Sequence, residues 1–376
     1  MCNINSFIPE LEHRDCVTMT TETFKVSIDG KTIGGKSEKL NQDDYCIYYM
    51  NNILFAAVFD GHGSKSGKFI SYWSRKIFLE FIKSEMFIVS YTQDPESTIK
   101  TIFEYVNEKV KEQVFNKYIE LGYTISKDEH EHYLITKDLN TSIINGGTMA
   151  TILIFDFNSN KQYTAYVGDS EATYLDCHQE SVEESIFKKV NNLSTLTEYC
   201  HDAFNLEEYI RVKDYKSHPD DPKKPLLQFN YDLRGRVTPI WYFDGEFKVI
   251  DPPVGYYIKN TSKEIASYLQ STNYKNNLTT TRSIGDFALK YYGVTYEPTI
   301  FVNEIKKGIY TIASDGVWDN YKKTVFNETV TGIISESDDL QITQLVNNFM
   351  DKNLQEGISN FGEYKDDATC IFIQIE

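Results

Sequence analysis

No apolar stretch in this chain exceeds roughly eight residues, far short of the ~20 that a membrane-spanning helix needs. The start, Met1-Cys-Asn-Ile-Asn-Ser6, has neither the basic residues nor the apolar run of a secretory signal. Basic residues are scarce: 38 Lys and Arg face 55 Asp and Glu, for a formal charge of −17. That balance argues against a nucleic-acid partner, because phosphate contacts need clustered Lys and Arg. The six cysteines, at positions 2, 16, 46, 177, 200 and 370, form no Cys-x-x-Cys pair. A disulfide framework and a zinc site are thereby disfavoured. No cysteine has an arginine six residues on, so a phosphate loop around a cysteine nucleophile is absent, as are Gly-Asp-His and Gly-Asn-His-Glu signatures. There is no internal repeat and no linker rich in Gly, Ser or Pro. The expectation is a soluble, cytoplasmic monomer with reduced thiols, touching neither membrane nor nucleic acid.

What is present suits a folded domain. Apolar residues make up 41% and aromatics 14% of 376 residues, enough for a sizeable core. Residues 1–24 read as an N-terminal arm. Strand-like runs cover Phe24–Ile28, two stretches of 45–59 around an Asn51-Asn52 turn, 148–157, 162–175, 186–196, 309–314 and 368–375. Phe69, Ile70, Trp73, Ile77, Phe81 and Ile82 repeat at helical spacing, as do Ile99, Ile102, Phe103, Val106, Val110 and Val114. Asp94-Pro95 opens the second of these helices. A last helix carries Ile342, Leu345, Val346, Phe349 and Met350. Strands, helices, strands, helix, strand is not βαβ alternation, and predicts antiparallel sheets flanked by helices. Residues 212–277, with His218-Pro-Asp-Asp-Pro-Lys-Lys-Pro225, read as an irregular insertion. Glu129-His-Glu-His132 reads as a surface charge run rather than a metal site.

Two apolar runs end in Asp-Gly: Ile53–Phe59 at Asp60-Gly61-His62-Gly63, and Ile309–Ser314 at Asp315-Gly316. Asp-Gly is a common hairpin turn. It also delivers a carboxylate at a strand tip where backbone can approach a ligand closely. Asp43, Asp44, Asp319, Asp366 and Asp367 lie at strand ends too. A fold that gathered these ends would form an all-oxygen site suited to Mg²⁺ or Mn²⁺. Two such ions assist in-line phosphoryl displacement.

The ordered set Asn41-Gln-Asp43, Val58-Phe-Asp-Gly-His-Gly63, Gly147-Thr-Met-Ala150, Val167-Gly-Asp-Ser170, Thr281-Arg-Ser-Ile-Gly-Asp286, Ala313-Ser-Asp-Gly-Val-Trp-Asp319 and Asp366-Asp-Ala-Thr369 resembles the metal-dependent type-2C protein serine/threonine phosphatases. The likeness spans residues 25–376. It implies an α+β fold, a four-layer αββα sandwich of two antiparallel sheets with helices on both outer faces. It also implies hydrolysis of phosphoserine and phosphothreonine in proteins by direct attack of hydroxide held on two metal ions. Asp60 would bridge the ions, Gly61 would offer its carbonyl, and Asp315 and Asp366 would complete one shell. Asp43 would hold a metal-bound water, Asp319 would contribute to a weak third site, and His62 would protonate the leaving oxygen. Gly168-Asp169-Ser170 and Arg282 to Asp286 read as framework.

Four positions depart from the family pattern. Glu38 stands where a phosphate-gripping arginine is frequent, leaving Lys36 or Lys39 as substitutes without arginine's fork. Cys200, beside His201 and Asp202 and upstream of Glu208-Tyr-Ile-Arg211, replaces an aspartate of the third metal site. Asp367 replaces asparagine and is expected to face solvent. Glu171 replaces arginine as a surface change. The alternatives are a pseudophosphatase, that is, a regulatory or binding module with a decayed pocket, and an acidic cation-binding structural protein.

Overall fold

The computed structural model describes residues 3–7, 17–21, 23–35, 40–128, 132–177, 190–202, 205–213, 215, 227–231, 237–238, 266–270, 277–336 and 340–376. Two sheets form its centre. One six-stranded sheet has the order Val17–Thr20, Lys25–Ile33, Ala368–Ile375, Gly308–Ala313, Glu171–Cys177, Val190–Thr195. The other runs Thr299–Glu304, Lys161–Val167, Gly147–Asp156, Ile53–His62, Asp44–Met50, with Ile284–Gly285 paired to the end of the Gly147 strand. All of these pairings are antiparallel.

Alternation along each strand builds the layers. Leu54, Ala56 and Val58 face inward and pack with Leu153, Tyr310, Ile312, Ile371 and Ile373 between the sheets. Their neighbours Phe55, Ala57 and Phe59 face the helices Gly67–Ile82, Glu85–Gln93 and Pro95–Glu120. On the opposite side Cys370 and Phe372 meet Phe326, Val330, Phe349 and Met350 of the helices Lys323–Ser335 and Ile342–Phe361. The result is the expected αββα sandwich.

Several local expectations hold. Asn51 and Asn52 both adopt positive φ, 50° and 62°, in a two-residue hairpin turn. Asp94 caps the helix that Pro95 begins, accepting from the Ser97 amide at 3.1 Å. The run 162–175 is not one strand, however. It breaks at Gly168 (φ +100°) and crosses from one sheet to the other; glycine is required at this turn, since a Cβ there would also lie 2.3 Å from Met149 Sδ. The insertion is not wholly irregular either: Leu227–Tyr231, Val237–Thr238, Ala266–Gln270 and Asn277–Leu278 form a four-stranded antiparallel sheet. The proline-rich stretch from His218 to Pro225 lies outside the described residues. His132 is fully buried, stacked on Tyr292 and paired with Asp128 at 2.8 Å, which corrects its reading as part of a surface run; residues 129–131 lie outside the described set. No described helix is long and apolar enough to cross a membrane.

Candidate active site

Strand ends from both sheets converge on a cleft of about 540 Å³ lined by Asp60, Gly61, His62, Asp169, Asp286, Asp315 and Asp366 among others. Asp60 and Gly61 lie near the tip of Ile53–His62, Asp315 follows Gly308–Ala313, and Asp366 precedes Ala368–Ile375. Carboxylate oxygens of Asp60, Asp169 and Asp315 lie within 4.8 Å of one another. So do those of Asp315, Asp319 and Asp366, so the two groups share Asp315. Burial, then the charges of Asp315, Asp43, Asp169 and Asp366, push the Asp60 carboxyl well above the usual range. Ser170 Oγ donates to Asp60 Oδ2 at 3.2 Å.

Asp43 sits behind this cluster, 1% exposed. Its Oδ2 accepts from the hydroxyls of Ser314 and Thr369, both at 2.7 Å, tying the approaches to Asp315 and Asp366 to one carboxylate. Burial is the main reason its pKa is raised, and Asp367 adds to it. The ammonium of Lys68, 4% exposed, donates to the Asp43 carbonyl at 2.7 Å. Gly61 is required by close approach: a Cβ there would lie 2.4 Å from the Gln42 carbonyl oxygen.

His62 Nε2 lies 2.7 Å from Asp286 Oδ2. Burial works against protonating this ring, but Asp286, with Asp169 and Asp315, raises its pKa above the ordinary value. Asp286 in turn is held below its ordinary value by His62 and by the Ser283 hydroxyl at 2.7 Å, against the effect of burial.

Sequence reasoning left Asp169 and Asp286 as framework; the structure brings both into the cleft. Asp169 occupies the crossover turn hidden inside an apparently continuous strand. Asp367 does not face solvent, because its two carboxylate oxygens accept the backbone N–H groups of Gly35 and Gln42 at 2.7 Å each. Glu171 is not a free surface change but pairs with Lys323 at 2.8 Å, beside the Trp318 ring. Cys200 lies against the Asp169 carbonyl with Sγ at 4.0 Å, its thiol pushed well up by burial. Asp202 accepts from the Asn205 amide at 3.1 Å at the start of the helix Leu206–Lys213. Below it Glu208, 2% exposed, binds Arg211, Arg282 and the Thr281 hydroxyl. Lys36, Glu38 and Lys39 lie outside the described residues.

The protein phosphatase 2C family model matches residues 262–358. No curated protein matches the chain. Among solved structures, a serine-threonine phosphatase 2C from Toxoplasma gondii is 14% identical with a TM-score of 0.60, covering 98% of this chain and 100% of its own. A C. elegans sex determining protein is 16% identical with a TM-score of 0.52, covering 93% of this chain and 64% of its own. At those identities the likeness is one of fold. Residues 262–358 thus match the protein phosphatase 2C family model, and the fold along the chain is that of the solved serine-threonine phosphatase 2C.

Proposed function

We propose that the cleft is the active site of a serine/threonine protein phosphatase that works with two Mg²⁺ or Mn²⁺ ions. The observation that carries the reading is the pair of carboxylate triads that share Asp315, with Asp60, Asp169, Asp315 and Asp366 lining the cleft. The donor set fits such ions. It is all oxygen, as hard cations require, and its crowded, partly buried carboxylates repel one another unless a cation offsets them. Asp60, Gly61, Asp315 and Asp366 would hold the two ions, with Asp43 orienting the cluster from behind. Asp169 adds a carboxylate that the resemblance did not assign. Asp319 stands within reach of a further cation, although Cys200 fills the position of its expected partner. When bound, the ions lower the pKa of a held water from about 15.7 toward about 7 and offset phosphoryl charge.

The chain's own groups supply the rest. Asp60 is fixed by Ser170, and Asp43 by Ser314 and Thr369, so the carboxylates are positioned before substrate arrives. His62 is the general acid for the leaving serine or threonine oxygen. Lys36 and Lys39 are assigned to the substrate phosphate, with residues 25–376 as the phosphatase domain and 212–277 as its insertion. The substrate is a phosphoprotein and the protein acts as a monomer. The test is phosphate release from a phosphoserine peptide with Mn²⁺ and with EDTA, beside Asp315→Asn. Cation-dependent release lost in the variant supports the reading. A folded, cation-binding protein with no turnover would make it a regulatory pseudophosphatase instead.

A further inference from the structure

Residues 3–7, at the start of the expected N-terminal arm, are built into the molecule beside the cleft. Ile4 is fully buried in the core between the second sheet and its helices, and Asn5 is 4% exposed. The Lys117 ammonium lies 3.9 Å from the centre of the Phe7 ring. What this segment holds is the connection Gly63–Ser66, between His62 and the helix Gly67–Ile82. The amides of Ile4 and Asn5 both donate to the Lys65 carbonyl, at 2.8 and 3.2 Å. The Asn5 side chain spans the connection. Its Nδ2 donates to the Ser64 carbonyl at 3.4 Å, and its Oδ1 accepts from the Phe69 amide at 3.1 Å.

That last bond replaces a local one. A helix leaves its first amides without partners in the helix, and the side chain just before it ordinarily caps one of them. Ser66 stands at that position and makes no capping bond; its hydroxyl donates to the Asn145 carbonyl instead. Asn5, 64 residues away in sequence, caps Phe69 in its place. Ser66 is thereby free to tie the connection to Asn145. Asn145 and Gly146 line the cleft, as do Gly61, His62 and Gly63. The fit is close: a Cβ on Gly63 would lie 2.7 Å from Gly146 Cα, and one on Gly61 2.9 Å from the Gly67 carbonyl oxygen. With backbone packed against backbone, a shift of the connection carries both edges of the cleft with it.

We propose that Asn5 is a positioning residue for the cleft. By capping the helix from a distant segment it fixes Gly63–Ser66, and through that connection the edges at His62–Gly63 and Asn145–Gly146. The consequence for turnover rests on the phosphatase reading above; the docking does not. Asn5 is not among the residues lining the cleft, so it acts on the geometry of the site and not on contact with substrate.

Asn5→Ala removes the cap and the bond to Ser64 and leaves the backbone bonds to Lys65. On a phosphoserine peptide, at a temperature where circular dichroism shows the variant folded, kcat should fall by about 3–10-fold while KM changes by less than about twofold, as for a small misplacement of reacting groups. Hydrogen exchange gives a second readout. The Gly67 and Ile70 amides donate to the carbonyls of Gly63 and Ser66, not to Asn5. They should exchange at least about tenfold faster in the variant, while amides of the strand Ala368–Ile375 keep their wild-type rates. An unchanged kcat, or the same acceleration in helix and strand alike, would overturn the proposal. If Asn5→Ala does not fold, the wild type decides: the amides of Ile4, Asn5 and Phe69 should be protected to within about threefold of one another, and residues 4 and 5 exchanging about 100-fold faster than Phe69 would refute the cap. If wild-type protein hydrolyses no phosphoester, the phosphatase reading fails, and the same exchange rates uphold or refute the positioning by themselves.

Discussion

His201 offers a stability switch whose size follows from its surroundings. It is fully buried, stacked on Tyr166 at 4.6 Å, with Nδ1 accepting from the Gly168 amide at 3.1 Å and Nε2 placed 2.8 Å from Thr299 Oγ1. Protonation would convert the Nδ1 acceptor into a donor facing another donor, at the turn that presents Asp169. Burial first, then the Arg282 charge, lowers its pKa to about 3. In the unfolded chain the ring titrates near its ordinary value of about 6.5. Folding is therefore unaffected by this group above about pH 6.5, and loses stability as the unfolded state takes up the proton below it. The loss is about 2 kcal/mol at pH 5 and about 3 kcal/mol at pH 4. Asp43, Asp60 and Asp367, whose pKa values are raised, act in the opposite direction, so wild type alone does not isolate the effect. Urea unfolding in EDTA at pH 7 and pH 5, on wild type and His201→Gln, does. The variant should be less stable at pH 7 by about 1–3 kcal/mol, from lost buried hydrogen bonds. It should also lose about 2 kcal/mol less than wild type on going to pH 5. Equal acid sensitivity of the two proteins would refute the argument.

Glu208→Gln leaves Arg211 and Arg282 without their shared carboxylate under the cleft. Urea unfolding should show a loss of about 3–5 kcal/mol, the cost of breaking a buried pair from one side. Gly147→Ala should cost about 1–3 kcal/mol through overpacking against Asp286 and the Ile284 carbonyl, read as a lower unfolding midpoint.

Much of this architecture is legible in the sequence, and the reason is periodicity. Leu54-Phe55-Ala56-Ala57-Val58-Phe59 alternates between two apolar environments, as a strand buried on both faces must. The stripes of Gly67–Ile82 and Pro95–Glu120 name their own core faces. Helix Lys323–Ser335 and the short sheet at Thr124–Ile143 are not among the expected elements: the helix's stripe Phe326, Val330, Ile333, Ile334 is interleaved with the β-branched residues Thr324, Val325, Thr329 and Thr331, and the sheet's strands are only four or five residues long. At the site, Asp60, Asp315 and Asp366 stand out because each ends or begins an apolar strand. Asp169 is harder to place, since the strand-forming residues on both sides of Gly168-Asp169-Ser170-Glu171 read as one long run, and only the positive φ of Gly168 turns the chain there. Glycine at 168 was the available signal. Asp286 and Asp367 depend on contacts across 224 and 325 residues of chain, which no local pattern encodes.

Hydrolysis of a phosphoserine peptide by the purified protein, titrated with Mn²⁺, measures the central claim most directly. Turnover should appear only with cation, vanish in EDTA, and fall by more than about 100-fold in Asp315→Asn, because Asp315 is common to both carboxylate groups and, on the proposed reading, the ions would generate the nucleophile. Turnover that survives both EDTA and Asp315→Asn would contradict it.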